Sequence, residues 1–176
     1  MIDTTIMKKL IFLLFTILLV ISCKDSPATT FSKDGVTFTV PSGWEISEEE
    51  NLDTDGYYLS VEKNGFNASG IVVMTWVVGK QDLRDTYVNY KKNMYNIPVY
   101  SNANLQFRNE ADTSYGNKSS FSAPFTASVA GMDHEGRLHF ITAADKIFTI
   151  MIQGAVEDKS ENEKGFKTIA DSFVVE

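Results

Sequence analysis

Apolar and polar positions alternate along several stretches of the chain. Val36-Thr37-Phe38-Thr39-Val40 alternates strictly and predicts a half-buried strand. Pro41-Ser42-Gly43 reads as a turn, and Trp44-Glu45-Ile46 resumes the alternation. Tyr57 to Glu62 predicts a third strand, after the turn-rich stretch Asn51 to Gly56. Gly70 to Val78, GIVVMTWVV, is apolar at both parities and β-branched, which predicts a central strand covered on both faces. Between Gln81 and Tyr95 the period changes. Leu83, Tyr87, Tyr90 and Met94 fall on one helical face, Arg84, Asp85, Asn89 and Lys92 on the other, and Asp82 stands where an N-cap is wanted.

Val99 to Asn109 predicts a weaker strand. Phe121, Ala123, Phe125, Ala127 and Val129 share one face of a long strand, while Pro124 faces the other way and predicts an edge position or a kink. Gly131 to Gly136 reads as a turn, Arg137 to Ala143 as the returning strand and Lys146 to Ile152 as a buried one. Ser160 with Glu163 three residues later makes a capping box for a last helix, with Phe166, Ile169, Ala170 and Phe173 on one face. Gly165 inside that helix lowers its propensity by about 1 kcal/mol. Strands, helix, strands, helix is an α+β order with an antiparallel sheet, not a run of βαβ units.

The N-terminus has a different pattern. Met7-Lys8-Lys9 is a short basic segment, followed by the unbroken apolar run Leu10 to Ile21. That run suits the core of an export signal and falls short of the ~20 residues a spanning helix needs. It ends in Val20-Ile21-Ser22-Cys23, which resembles the lipobox of bacterial lipoproteins. The resemblance implies cleavage before Cys23, a diacylglycerol on its sulfur and a fatty acyl group such as palmitate on its amine. Several acyl chains anchor stably where one does not. Lys24 rather than Asp follows the cysteine, which points to the outer membrane. Lys24 to Thr30, KDSPATT, is polar and aperiodic and reads as a tether with a reach of about 25 Å at most. The expected organisation is a signal over 1–22, a lipidated tether over 23–31 and one α+β domain over 32–176.

Composition narrows the function classes. The chain is 43% hydrophobic and 22% charged, which excludes extended disorder and collagen-like structure. Its net charge is −7, and removal of the lysine-bearing signal leaves it more acidic still. An acidic domain repels phosphate backbones, so no nucleic-acid partner is expected. Cys23 is the one cysteine, so no intrachain disulfide is possible, and lipidation leaves no thiol for chemistry.

A family resemblance rests on both ends of the domain. Gly35 to Trp44, an apolar strand running into Pro41-Ser42-Gly43-Trp44, resembles the opening hairpin of PsbP-like proteins. Ile147 to Ile150, an acidic linker, Phe166, and then Ser172-Phe173-Val174 are similar to that superfamily's last strand, last helix and Ser-Phe ending. The resemblance implies a PsbP-like α/β/α sandwich, an antiparallel sheet flanked by helices on both sides. It also implies docking to other proteins rather than a shared active site.

Candidate chemistry is sparse. Asn51, Asp53, Asp55, Gly56 and Glu62 have the spacing of an EF-hand calcium loop. Neither flank is helical, so a solvated acidic hairpin loop is the expectation. Asp133, His134, Glu135 and His139 group His with carboxylates. His134 falls in the exposed turn and His139 in the following strand, five residues on; an odd spacing faces the two opposite ways unless a bulge intervenes, and no metal is expected there. No phosphate-binding glycine loop or G-x-S-x-G elbow occurs, and no cofactor is expected. Tyr87 and Tyr90 are candidate contact residues, together with the loops at 51–56 and 131–136.

These readings converge on a non-catalytic lipoprotein. It is anchored to the membrane through Cys23, sits in the bacterial cell envelope and docks an envelope protein. The alternative is a lipoprotein that binds a small ligand or metal. Cys23→Ala should abolish lipid addition and cleavage at this site. Mass spectrometry of the native protein that found a free Cys23 thiol would overturn the anchoring argument.

Overall fold

The computed structural model describes residues 26–52, 55–65 and 68–176. Cys23, the signal and Asp53 lie outside the described residues. Among the described residues, eleven strands and two α-helices follow in order: β1 (Thr29–Lys33), β2 (Val36–Val40), β3 (Trp44–Leu52), β4 (Gly56–Lys63), β5 (Ile71–Val78), α1 (Leu83–Met94), β6 (Gln106–Phe107), β7 (Ala111–Tyr115), β8 (Lys118–Val129), β9 (Met132–Ala143), β10 (Lys146–Ala155), α2 (Lys159–Ser172) and β11 (Val174–Val175). A 3-10 turn, Val156–Asp158, leads into α2.

The main sheet runs β3-β4-β5-β10-β9-β8-β6, with β7 also paired to β8, and its ladders are antiparallel. A second, three-stranded sheet runs β1-β2-β11. β5, the stretch apolar at both parities, is central as predicted. Pro124 sits in β8 between the residues that pair with β7 and those that pair with β6. Its missing N–H therefore falls where the neighbouring strand is interrupted, and its carbonyl accepts from Arg108 N at 2.8 Å.

Two apolar clusters form the core. The first joins Phe38, Trp44, Leu59, Trp76, Phe148, Ile150 and Phe173 with Ile169 of α2. The second joins Phe121, Phe125, Leu138, Phe140 and Met151 with Tyr87 and Met94 of α1. Neighbours Phe140 and Ile141 of β9 fall into different clusters, as alternation along a strand requires.

Several boundaries differ from the sequence reading. Ser26 already bonds the domain, its carbonyl accepting from Gly43 N at 2.9 Å, and β1 starts at Thr29, so the tether ends earlier than residue 31. The turn after β8 is only Ala130-Gly131, both at positive φ, and β9 begins at Met132 rather than Arg137. Val99 to Asn104 forms turns, and of that segment only Gln106–Phe107 is strand. Asp82 caps α1 as predicted, accepting from Arg84 N and Asp85 N at 2.8 and 3.2 Å. Ser160 does not cap α2. The 3-10 turn delivers the chain into the helix two residues earlier, with Asp158 at the N-cap position and no side-chain cap bond.

The calcium-loop spacing is drawn out along the β3–β4 hairpin. Asn51 pairs with Tyr57 near the tip and Glu62 with Glu45 near the far end. The ladder thus separates Glu62 from Asn51 and Asp55, which an EF-hand loop would gather round one ion. β3 is an edge strand, and Glu45, Glu48, Glu49 and Glu50 line it beside a register shift between Ile46 and Glu48. Charge and a bulge are common protections for such an edge.

Trp44 is 4% exposed. Its ring meets Phe166 edge-on at 5.5 Å and lies directly under Gly165. A β-carbon at Gly165 would stand 2.3 Å from Trp44 Cζ2. Gly165→Ala should therefore destabilise the protein by about 1–3 kcal/mol through overpacking, despite better helix propensity. Chemical denaturation that showed stabilisation would place the indole elsewhere. Phe173 is 1% exposed and meets Tyr115 and Phe148 edge-on at 5.6 and 5.4 Å. Phe173→Ala should cost about 3–5 kcal/mol. A loss under ~1 kcal/mol in the same measurement would show that the end of α2 does not close the first cluster.

Candidate functional site

β9 carries polar side chains at alternate positions, Glu135, Arg137 and His139. In register beside them stand Thr126, Pro124 and Ser122 of β8, and Gly154, Ile152 and Ile150 of β10. One side of α2 faces this row with Asn162, Glu163, Phe166, Lys167 and Ala170. Between helix and strands lies a cleft of ≈ 560 Å³, rimmed also by Arg108 and Lys159.

Both ends of α2 are pinned close to the sheets. At its start Asn162 is 1% exposed and lies over Gly70 and Gly154. A β-carbon on Gly154 would stand 2.5 Å from Asn162 Nδ2, and one on Gly70 2.7 Å from its Oδ1. Asn162 Nδ2 donates to Ser69 Oγ at 3.2 Å, and Ser69 Oγ donates to Asp158 Oδ2 at 2.6 Å. Ser69 Oγ also accepts from Ala155 N at 2.9 Å. At the other end the β7–β8 turn abuts the helix at Gly116, where φ is +56° and a β-carbon would meet the Ala170 carbonyl at 2.0 Å. Only glycine permits that approach.

His139 is 5% exposed on the cleft floor. Its Nδ1 is 2.8 Å from Ser120 Oγ, which is 3.2 Å from Thr113 Oγ1. Burial and then the Arg137 cation push its pKa down to about 4, so the imidazole is neutral at pH 7. Tyr115 packs on it at 5.2 Å and has a buried hydroxyl with no partner among the described residues. Arg137 is half-buried, and its one side-chain hydrogen bond, Nη1 to Ser122 Oγ, is long at 3.4 Å.

Among the described residues, the ion pairs are all made by lysines. Lys159 meets Glu135 at 2.7 Å and Lys167 meets Asp171 at 2.6 Å, both beside the cleft. Lys63–Glu161 and Lys146–Asp145 lie elsewhere, at 2.8 and 3.0 Å. Arg108 and Arg137 have no such partner.

The sequence-derived candidates are placed differently from the cleft. Tyr87 is buried among Phe107, Phe121 and Phe140, with ring separations of 5.6–6.2 Å. Tyr90 packs on Phe140 at 6.1 Å, and burial pushes its pKa up to about 12. Tyr87 belongs to the second cluster, and half-buried Tyr90 packs against it. His134 and His139 do face opposite ways, but His134 is 6% exposed rather than a turn residue in solvent. Its Nδ1 accepts from Gln153 Nε2 at 3.1 Å, and Gln153 Oε1 accepts from the Tyr100 hydroxyl. Burial lowers the His134 pKa against the pull of Asp158, Asp133 and Glu157. Among the described residues, no three His, Cys, Asp or Glu side chains are placed to hold a metal ion.

Arg108, Arg137 and the α2 residues were not singled out from the sequence. The signal was present in Glu135-x-Arg137-x-His139, polar at one parity between apolar Leu138 and Phe140. Reading Gly131 to Gly136 as a turn hid its first member.

No protein-family model and no curated protein matches the chain. Solved structures do. The solution structure of the cyanobacterial PsbP, CyanoP, from Synechocystis sp. PCC 6803 superposes with a TM-score of 0.55 at 16% identity, over 89% of this chain and 96% of that one. A crystal structure from Bacteroides thetaiotaomicron VPI-5482 gives 0.52 at 11% identity, over 84% of this chain and 48% of that one. LpqN, involved in cell envelope biogenesis of Mycobacterium tuberculosis, gives 0.47 at 11% identity, over 84% of this chain and 90% of that one. At such identities the likeness is one of architecture: this chain has a PsbP-like fold.

Proposed function

We propose that this chain is a non-catalytic lipoprotein of the bacterial cell envelope that acts by binding at the cleft beside α2. Its anchor is the lipid on Cys23, its membrane the outer membrane, and its partner an envelope protein. In this reading the PsbP-like sandwich has α1 on one face of the main sheet and α2 on the other, and the α2 side carries the site.

The observation that favours binding over catalysis is the state of His139. A general base works best with a pKa near the operating pH. His139 is pushed down to about 4, its Nδ1 is engaged by Ser120, and its charged neighbour is a cation rather than an orienting carboxylate. The helix and sheet around it are pinned at both ends, which suits a preformed recognition surface. The short tether keeps the cleft near the membrane and raises its effective concentration for envelope partners.

A second reading is a small ligand. A volume of ≈ 560 Å³ falls in the range of small-molecule sites, and the lining mixes apolar side chains with a few polar ones.

Crosslinking on whole cells should capture one envelope protein reproducibly. Arg108→Glu at the cleft rim should reduce that capture several-fold, while Lys80→Glu, outside the cleft, should leave it unchanged. The docking reading fails if no partner is captured, and the non-catalytic reading fails if the purified protein turns over a small substrate.

A further inference from the structure

We propose that the cleft beside α2 holds a small amphipathic anion: one carboxylate or phosphate group on a short apolar body. The inference rests on the ligand-binding reading of the cleft and adds the chemistry of the ligand. Its centre is Arg137. A guanidinium withdrawn from water is normally paired with an acid. Arg137 is half-buried and makes no ion pair among the described residues, although the protein carries net charge −7.

The neighbouring charges do not answer it. Glu135, two residues along the same strand face, is taken up by Lys159. Glu163 stands at the exposed rim and makes no ion pair, so it opposes anion binding there. With Arg108, Lys159 and Lys167 also around the cleft, the lining holds four cations and two carboxylates. A planar guanidinium matches a carboxylate or phosphate with two parallel hydrogen bonds, which a lysine cannot do. Arg108 is fixed nearby because its backbone N donates to the carbonyl of Pro124, the register partner of Arg137.

The rest of the lining calls for an apolar body. Pro124, Phe125, Ile152, Phe166 and Ala170 all border the cleft. A free inorganic anion would leave those walls uncovered, whereas a carboxylate or phosphate ester with a short hydrocarbon part would cover them while reaching Arg137. Covering apolar area is favourable in proportion to the area removed from water, so the hydrocarbon part should tighten binding over the anion alone.

The test is calorimetric titration of the full mature protein in zwitterionic nanodiscs, with empty nanodiscs as the blank. The probes are hexanoate, hexyl phosphate, inorganic phosphate and hexanol. Hexanoate or hexyl phosphate should bind saturably, and whichever binds identifies the head group. Inorganic phosphate should bind at least about tenfold more weakly, and hexanol should not saturate. Arg137→Gln should weaken binding about tenfold or more, Arg137→Lys by less, and Lys80→Gln not at all. Circular dichroism on each variant checks folding, and Arg108→Gln, expected to weaken binding a few-fold, repeats the test if Arg137→Gln does not fold. Equal binding of hexanol and hexanoate, equal binding of inorganic and hexyl phosphate, wild-type affinity in the arginine variants, or no saturation with any probe would each overturn the proposal. Whole-cell capture of a protein partner is read independently, so the anion can fail while docking stands.

Discussion

The structure depends on the approach of α2 to the sheets. Three glycines make the approach possible. Gly165 lets the helix settle on the Trp44 ring, and Gly70 and Gly154 together leave room for Asn162. A methyl at any of these would stand within 2.7 Å of an existing side-chain atom. Interiors are packed too densely to absorb such a group without shifts of the backbone. The helix propensity lost at Gly165 is thus offset by contact with the largest ring at the sheet's edge. The geometry also sets the depth of the cleft: the helix is drawn in at Asn162 and stopped at Ala170 by the Gly116 turn, and the gap remains alongside.

The same frame explains why polar side chains survive on an inward-facing strand surface. Glu135, Arg137 and His139 lie on the face of β9 that carries Ile141 and the first cluster at its other end. Where α2 closes onto the sheet, that face is apolar. Where it stands off, the face is polar and partly wet. His139 marks the border. It is buried enough to be neutral, yet its ring nitrogen has Ser120 as a partner, so no unpaired charge is trapped. Arg137, one step further toward the opening, is only half-buried.

Much of the fold was legible in the sequence, because alternation and helical period both report burial. β2, β5, α1 and the hydrophobic face of α2 were read from it. What was missed has specific causes. β1, Thr29–Lys33, is half polar and follows a Pro-containing stretch, so its sequence resembles a tether, and only pairing with β2 makes it strand. β7, Ala111–Tyr115, has little apolar character and is held by pairing with β8. Met132 to Gly136 reads as loop because Asp133 and Gly136 are turn-forming residue types, yet Ala130 and Gly131 make the whole turn. The tyrosines of α1 share a face with Leu83 and Met94, and their polar ends make them candidate contacts as well as core. Tyr87 buries its ring all the same, where three Phe rings offer edge-to-face contacts. The cleft was not legible, since it joins β6–β10 with α2 across a large sequence separation.

Charge is distributed unevenly over this fold, and the distribution follows from the sheet's two edges. Acids gather at the β3 edge, where repulsion discourages another strand from adding to the sheet. Tyr57 donates to Glu49 at 2.5 Å there, and burial together with that carboxylate raises the phenol to about 12, so Tyr57 stays protonated and holds the Glu49 side chain in place. The opposite edge is broken instead: β6 is two residues long, and β7 starts only after a gap that holds Arg108. With its pairing interrupted at Pro124, this edge offers no long run of free backbone groups, and Arg108 stands in the gap together with Glu110. A chain acidic overall thereby presents arginines at one opening. The proposed anion would meet repulsion along the acidic β3 edge, whereas the cleft is lined by four cations and two carboxylates. For the proposed ligand, such a contrast would favour the cleft over the β3 edge, and it arises from how each sheet edge is closed.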